Sequence, residues 1–274
     1  VRALIRSATA VLPLVVALVC AGCGAPAPVP PPVDAAPRPA ATTRSLPTTP
    51  APPPTTPAPV PRPVVLLDPG HNGGNAANKA AVNRPVPDGR GGTKPCNTTG
   101  TSTNAGYAEH AFTWDLAGRV RSRLEAAGVR VVLTRSDDVG VGPCVDARGA
   151  AGGRAGAALA VSLHADGAAA SAHGFHVAYA EPAVHGTGPA SLRLATGLRD
   201  ALRSAGFAPA GYIGRDGLDG RPDLAGLNSS TVPTALVEAG NMRNAGDAAV
   251  LTDPAGRDRI AAAVAEAVLA QLRR

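Results

Sequence analysis

Apolar positions along this chain fall in short blocks that end on polar, chemically capable residues. Val64-Val65-Leu66-Leu67 runs into Asp68-Pro69-Gly70-His71. Ala157 to Val161 runs into Ser162-Leu163-His164-Ala165-Asp166, and Thr234-Ala235-Leu236-Val237 into Glu238-Ala239-Gly240-Asn241. Short all-apolar blocks are the pattern of strands buried on both faces, and they predict strands over 64–67, 129–134, 157–163, 175–180 and 234–237. Between the first two, Phe112, Leu116, Val120 and Leu124 recur every four residues. That spacing predicts a helix over 109–127, with Gly128 at its stop. Further helices are predicted over 145–155, 191–205 and 257–274, the first weakened by Gly149, Gly152 and Gly153. Residues 72–106 are rich in Gly, Asn, Pro and Thr without periodicity and read as one long loop, a feature that is usually functional in a folded domain. Strands alternating with helices predict an α/β domain with a single, mostly parallel sheet of about six strands and helices on both faces. No internal repeat and no second folded domain are visible.

This pattern is confined to residues 64–274, which hold every aromatic and every histidine. Residues 1–63 hold more than half of the 28 prolines. Arg2 and Arg6 followed by the apolar run Val11–Val19 read as an export signal over 1–23, too short to span a bilayer comfortably. Ala21-Gly22-Cys23 resembles a bacterial lipobox, with Cys23 as the lipidated residue and a lipid anchor to the membrane as the consequence. Cys20 stands where Leu is usual, and ordinary secretion with cleavage near Ala25 or Ala27 is the alternative. Residues 24–63, made of Pro, Ala and Thr, read as a disordered linker that favours extended polyproline II. The net charge of +6 is a weak partner signal, because residues 1–63 carry five Arg and one Asp and leave the domain near +2. No basic cluster with interleaved aromatics is present, so nucleic acid is not an expected partner. Cys96 and Cys144 remain in the exported domain and are expected to pair, closing a loop of roughly 50 residues.

Three of the polar motifs sit where a strand leaves a sheet, the place where open α/β sheets put their active sites. Two histidines, a carboxylate and a spare glutamate are the parts of a catalytic zinc site with one open position. His71 and His164 each follow an apolar strand. Either one alone reads equally well as a core histidine satisfied by a carbonyl. Glu109 and His110 are near-equal candidates for the third ligand on spacing. Glu109 also reads as a carboxylate complementing the helix dipole. Glu238, at the end of a buried strand, needs a partner, for which Arg215 and Arg243 are the bland candidates.

In that order, the motifs resemble the zinc-dependent N-acetylmuramoyl-L-alanine amidases of the Amidase_3 family, across residues 64–274. The resemblance implies Zn²⁺ held by His71, Glu109 and His164, with Glu238 as catalytic acid/base, and so favours Glu109 over His110. It implies hydrolysis, by a zinc-activated water, of the amide between N-acetylmuramic acid and L-Ala in peptidoglycan or muropeptides, by a monomer in the cell envelope. Asp68 and Asp166 are then candidate acceptors orienting the histidines, and Arg215 and Asn228 candidate substrate contacts. The stretch Tyr107-Ala108-Glu109-His110 lacks the Glu-Lys pair common in the family. Loop 72–106, with Cys96, looks like the disulfide variant known among short members. A peptidoglycan-binding module without turnover and a zinc peptidase acting on stem peptides are the competing readings.

Overall fold

The computed structural model describes residues 61–273, together with 28, 30 and 31. The expected signal over 1–23, with Cys23, lies outside the described residues, as does nearly all of the expected linker over 24–63. Along the chain come β1 (Val64–Pro69), α1 (Lys79–Val82), β2 (Pro85–Pro87), β3 (Thr93–Pro95) and α2 (Glu109–Ala126). These are followed by β4 (Arg130–Leu133), α3 (Val145–Arg154), β5 (Leu159–Asp166), β6 (His176–Ala180) and α4 (Gly188–Ser204). The chain closes with β7 (Leu218–Arg221), α5 (Ala225–Asn228), β8 (Thr234–Asn241), α6 (Ala245–Thr252) and α7 (Pro254–Leu272). Among the described residues no helix is long and apolar enough to cross a membrane.

Six strands form one sheet in the order β4-β1-β5-β8-β6-β7. β4, β1, β5 and β8 are parallel, β6 runs antiparallel to β8, and β7 is parallel to β6. The sheet is thus the mostly parallel α/β sheet that the apolar blocks predicted, with helices on both faces.

The two faces are unequal. Val65 and Leu67 of β1, Val161 and Leu163 of β5, and Val237 of β8 face one way. There they pack with the four-residue repeat of α2 and with Leu194, Leu198, Ile260 and Val264 of α4 and α7. The other face carries only small apolar clusters under α3 and α5, such as Leu66 with Ala160 and Ala178 with Leu227. Because side chains alternate along a strand, the polar members Asp68, Ser162, His164 and Glu238 share this thinner face with Leu66, Ala160 and Leu236.

The loop over 72–106 is not featureless. It contains α1 and an antiparallel hairpin of β2 with β3, in which Val86 pairs with Lys94. Strands of three residues are too short to display alternation, so periodicity could not reveal them. Cys96, just after β3, is bonded to Cys144 at the start of α3. Val86 packs on the buried cystine. At its far end the hairpin is tied across the site face: Lys94 Nζ donates to Asp223 O at 2.8 Å, and Arg90 Nε to Pro222 O at 2.7 Å.

The disulfide closes a segment of 48 residues, for which chain entropy gives about 4 kcal/mol of stabilisation. Cys96→Ser combined with Cys144→Ser is expected to lower the urea-derived stability of the 64–274 domain by about that amount. A change below about 1 kcal/mol would show that the hairpin ties, not loop closure, fix this segment.

Candidate metal centre and active site

The turn that ends β1 is braced from several directions. Arg148 of α3 donates from Nη1 to Pro69 O and from Nη2 to His71 O, at 2.8 and 2.7 Å. Arg135 donates from Nε to Pro69 O at 2.9 Å. Gly70 N donates to Leu163 O of the neighbouring strand at 3.0 Å. Held this way, His71 takes a φ of +59°, a left-handed conformation that costs a non-glycine residue energy and collects at functional sites. Its Nδ1 lies 3.1 Å from Thr98 O. A carbonyl accepts only, so Nδ1 carries the proton and Nε2 presents its lone pair to the site.

Glu109 opens α2 and is 4% exposed. Its Oε1 lies 3.1 Å from His71 Nε2 and 3.0 Å from His164 Nδ1. Ala165 N also reaches Oε1, at 3.2 Å, and Thr101 N reaches Oε2, at 2.9 Å. The two imidazole rings meet edge to face with centroids 4.9 Å apart. Donors around a tetrahedral ion with ligand distances of about 2.0–2.1 Å lie roughly 3.3 Å from one another. The separations from Glu109 to each histidine therefore fit one ion shared by all three, and His71, Glu109 and His164 can hold a metal. Two nitrogens and one carboxylate oxygen form a donor set suited to zinc.

Protonation follows from this crowding. Burial alone would raise the Glu109 pKa; the adjoining His71 and His164 imidazoles instead hold it well below the carboxylate range. Burial would lower the His71 pKa, and Glu109 more than offsets this and raises it. Glu238 is different. Burial, then the Glu109 and Asp166 carboxylates, push its pKa well above the usual value. Among the described residues it forms no ion pair, with Arg215, Arg243 or any other cation, and its Oε2 is buried without a hydrogen-bond partner. His164 of β5 lies opposite Glu238 of β8, just before the pairing shifts by a bulge toward Asp166. Bulges of this kind re-aim side chains beside active sites.

A cavity of about 320 Å³ opens on this set, lined by His71, Glu109, His164 and Glu238, and also by Leu227 and Leu236. The other expected site residues sit as follows. Asp68 and Asp166 line the cavity but hydrogen-bond neither histidine. Asp68 instead accepts from Thr134, Arg148 and Ser162, at 2.5, 2.8 and 2.7 Å. Asp166 accepts from the Tyr212 hydroxyl at 2.8 Å. Asn228 is buried, and its amide donates to Asp88 O and Pro222 O, so it ties the hairpin down. Arg215 is exposed on the turn before β7. Neither Asn228 nor Arg215 lines the cavity. His110 bonds Asp138 at 2.8 Å, outside the three-ligand set. The acceptor that orients His71 is a backbone carbonyl, which carries no side-chain signal, and Arg148 was one arginine among many in the sequence.

The sequence profile described as N-acetylmuramoyl-L-alanine amidase (Amidase_3) matches residues 65–270. An N-acetylmuramoyl-L-alanine amidase of Mycobacterium tuberculosis is 49% identical over 207 residues, which are 75% of this chain and 84% of that one. The crystal structure of the apo amidase Ami1 from Mycobacterium abscessus aligns with a TM-score of 0.74 at 50% identity, over 77% of this chain and 98% of that one. Ami1 from Mycobacterium smegmatis aligns with the same TM-score at 45% identity, over 77% of this chain and 97% of that one.

Two expectations follow from the geometry. A Cβ on Gly70 would lie 2.2 Å from His164 Cε1, whereas one on Gly118 of α2 meets nothing within 4 Å. Gly70→Ala is therefore expected to displace the His164 ring and weaken zinc binding by roughly 10–100-fold, the scale of lost ligand orientation. Gly118→Ala should leave it unchanged; competition with a chelating dye measures both, and equal affinities would refute the steric argument. The second concerns acid. Burial would raise the Asp68 pKa, but Arg148, Thr134 and Ser162 bring it from 3.8 down to about 2. A depressed folded-state pKa contributes stability that is complete above the unfolded value and is lost as pH falls through the folded one. Wild-type urea stability should thus lose roughly 2 kcal/mol between about pH 4 and pH 2 from this group. Asp68→Asn should lack that component, and identical acid slopes would exclude it.

Proposed function

The chain belongs to the N-acetylmuramoyl-L-alanine amidase family, and on that premise we propose that it is a zinc hydrolase of the muramoyl–L-Ala amide in peptidoglycan or muropeptides. The observation that carries this reading is the meeting, at one cavity, of a three-donor metal set with a separate, half-buried carboxylate that has no cation of its own. His71, Glu109 and His164 would hold the ion at the cavity. Zinc bound there supplies a Lewis acid that brings the pKa of water toward ~7 and polarises the scissile carbonyl. Glu238 accepts the proton of the attacking water and returns it to the leaving L-Ala amine. Its raised affinity for a proton suits a group that must hold one between the two transfers. Thr98 O keeps His71 in the tautomer that presents Nε2, and the Asp68–Arg148 pair keeps the turn carrying it in place.

Residues 64–274 act as the catalytic domain, 1–23 as an export signal and 24–63 as a tether. The site of action is the cell envelope, reached either by lipidation at Cys23 or by plain secretion. We expect a monomer, with peptidoglycan and not nucleic acid as its macromolecular partner.

Glu238→Gln keeps shape and removes the proton acceptor. Zinc content should stay near one per chain while turnover of muropeptides falls by roughly 10²–10⁴. His164→Ala should lose metal and activity together. Mass spectrometry of the products adds the chemical test: an amidase frees the L-Ala amino terminus, whereas a peptidase leaves L-Ala on the sugar. Near-normal turnover by Glu238→Gln would remove it as the base. Products that keep L-Ala on muramic acid would overturn the amidase assignment.

A further inference from the structure

The antiparallel strand β6 brings an imidazole beside Glu238, on the side of β8 away from β5. His176, its first residue, lies directly across from Glu238 of β8. Directly paired residues point to the same face, with Cβ atoms about 4.5–5.5 Å apart. His176 is 3% exposed. Its Nδ1 is buried with no hydrogen-bond partner among the described residues, and so is Oε2 of Glu238. Buried polar atoms are nearly always satisfied, so two orphans at one register position call for a common explanation.

The neighbours narrow it. His176 Nε2 is 3.9 Å from Asp219 Oδ2, too far for a hydrogen bond. That same oxygen faces Arg221 Nη1 at 3.3 Å, so Arg221 balances Asp219 without help from the ring. Tyr212 stands edge-on to His176 with centroids 6.3 Å apart and donates its hydroxyl to Asp166. Burial holds the His176 pKa below its usual value, so the neutral ring carries one proton. Asp219 and Asp166 each have a donor already. Glu238 has none at Oε2, and needs one whenever it ionises to act as the base.

We propose that His176 is a positioning residue for Glu238: its Nδ1–H donates to Oε2, directly or through one water, and turns Oε1 toward the cavity. The inference rests on Glu238 being the proton acceptor. The ring neither gains nor loses a proton in the reaction; it fixes which carboxylate oxygen exchanges one.

The ring's two nitrogens can be tested apart. His176→Asn places an amide near the Nδ1 position, His176→Gln near the Nε2 position, and His176→Ala removes both. Zinc-loaded variants are assayed on an N-acetylmuramoyl-L-Ala peptide, with zinc content and thermal melting measured in parallel. We expect kcat of His176→Ala to fall about 10–100-fold, the scale of one charge-assisted hydrogen bond, with KM and zinc content unchanged. His176→Asn should recover most of that loss and His176→Gln should not. In the wild type, ¹⁵N NMR should find the proton on Nδ1. Wild-type kcat in His176→Ala, equal recovery by Asn and Gln, or a proton on Nε2 would each overturn the proposal. If His176→Ala fails to fold, the Asn/Gln pair and the tautomer still decide it. Glu238→Gln is run alongside: if it stays active, the assignment of the base has failed. If it is inactive while every His176 variant is normal, only the role of His176 has failed.

Discussion

Everything at this site depends on keeping one ionised carboxylate, that of Glu109, at the bottom of a cavity. A charge so buried is costly unless every lone pair is used. Glu109 meets that demand with two imidazoles on Oε1 and the backbone N–H groups of Thr101 and Ala165. Those partners come from three separate stretches: the exit of β1, the end of the hairpin segment and the bulged end of β5. None can shift alone without leaving the carboxylate unpaired. The disulfide, the arginines that brace the turn at Pro69 and the glycine at position 70 can all be read as means of holding those stretches in register around one side chain.

The unequal faces of the sheet follow from the same demand. Charged residues and histidines able to hold a metal cannot sit in a thick apolar layer, so α2, α4 and α7 take one face. The opposite face is left thin, with room for a cavity. Strand alternation then places Asp68, His164 and Glu238 on the thin side and Val65, Leu163 and Val237 in the main core. A register slip of one residue in β5 would exchange His164 for Leu163 and destroy both at once.

This coupling explains what was legible in the sequence. The apolar blocks had to be buried on both faces, and the residues ending three of them had to be polar, so the core strands and His71, His164 and Glu238 stood out. Glu109 stood out less, because a helix-opening carboxylate has an ordinary explanation. β7, α5 and α6 escaped because Leu218-Asp219-Gly220-Arg221 is an edge strand with one apolar residue, and the two helices are only 4 and 8 residues long. Asp68 and Asp166 were expected to accept from the histidines, and in the structure they accept from other groups. Each carboxylate is satisfied by a side chain remote in sequence, Arg148 or Tyr212, and spacing along the chain says nothing about such pairs.

His176 fell inside the strand expected over 175–180 but carried no functional signal, for a more specific reason. In a parallel sheet the residues that reach the active end are the last of each strand, and a polar residue after an apolar block is a readable signal. β6 runs the other way, so its first residue occupies that end, opposite Glu238. A histidine near the start of an apolar block, here just after Phe175, reads as an ordinary polar position alternating within a strand. The reversal of one strand thus places a side chain opposite Glu238 while removing the pattern by which sequence would reveal it. Strand direction, which hydropathy does not encode, decides which end of a block carries chemistry.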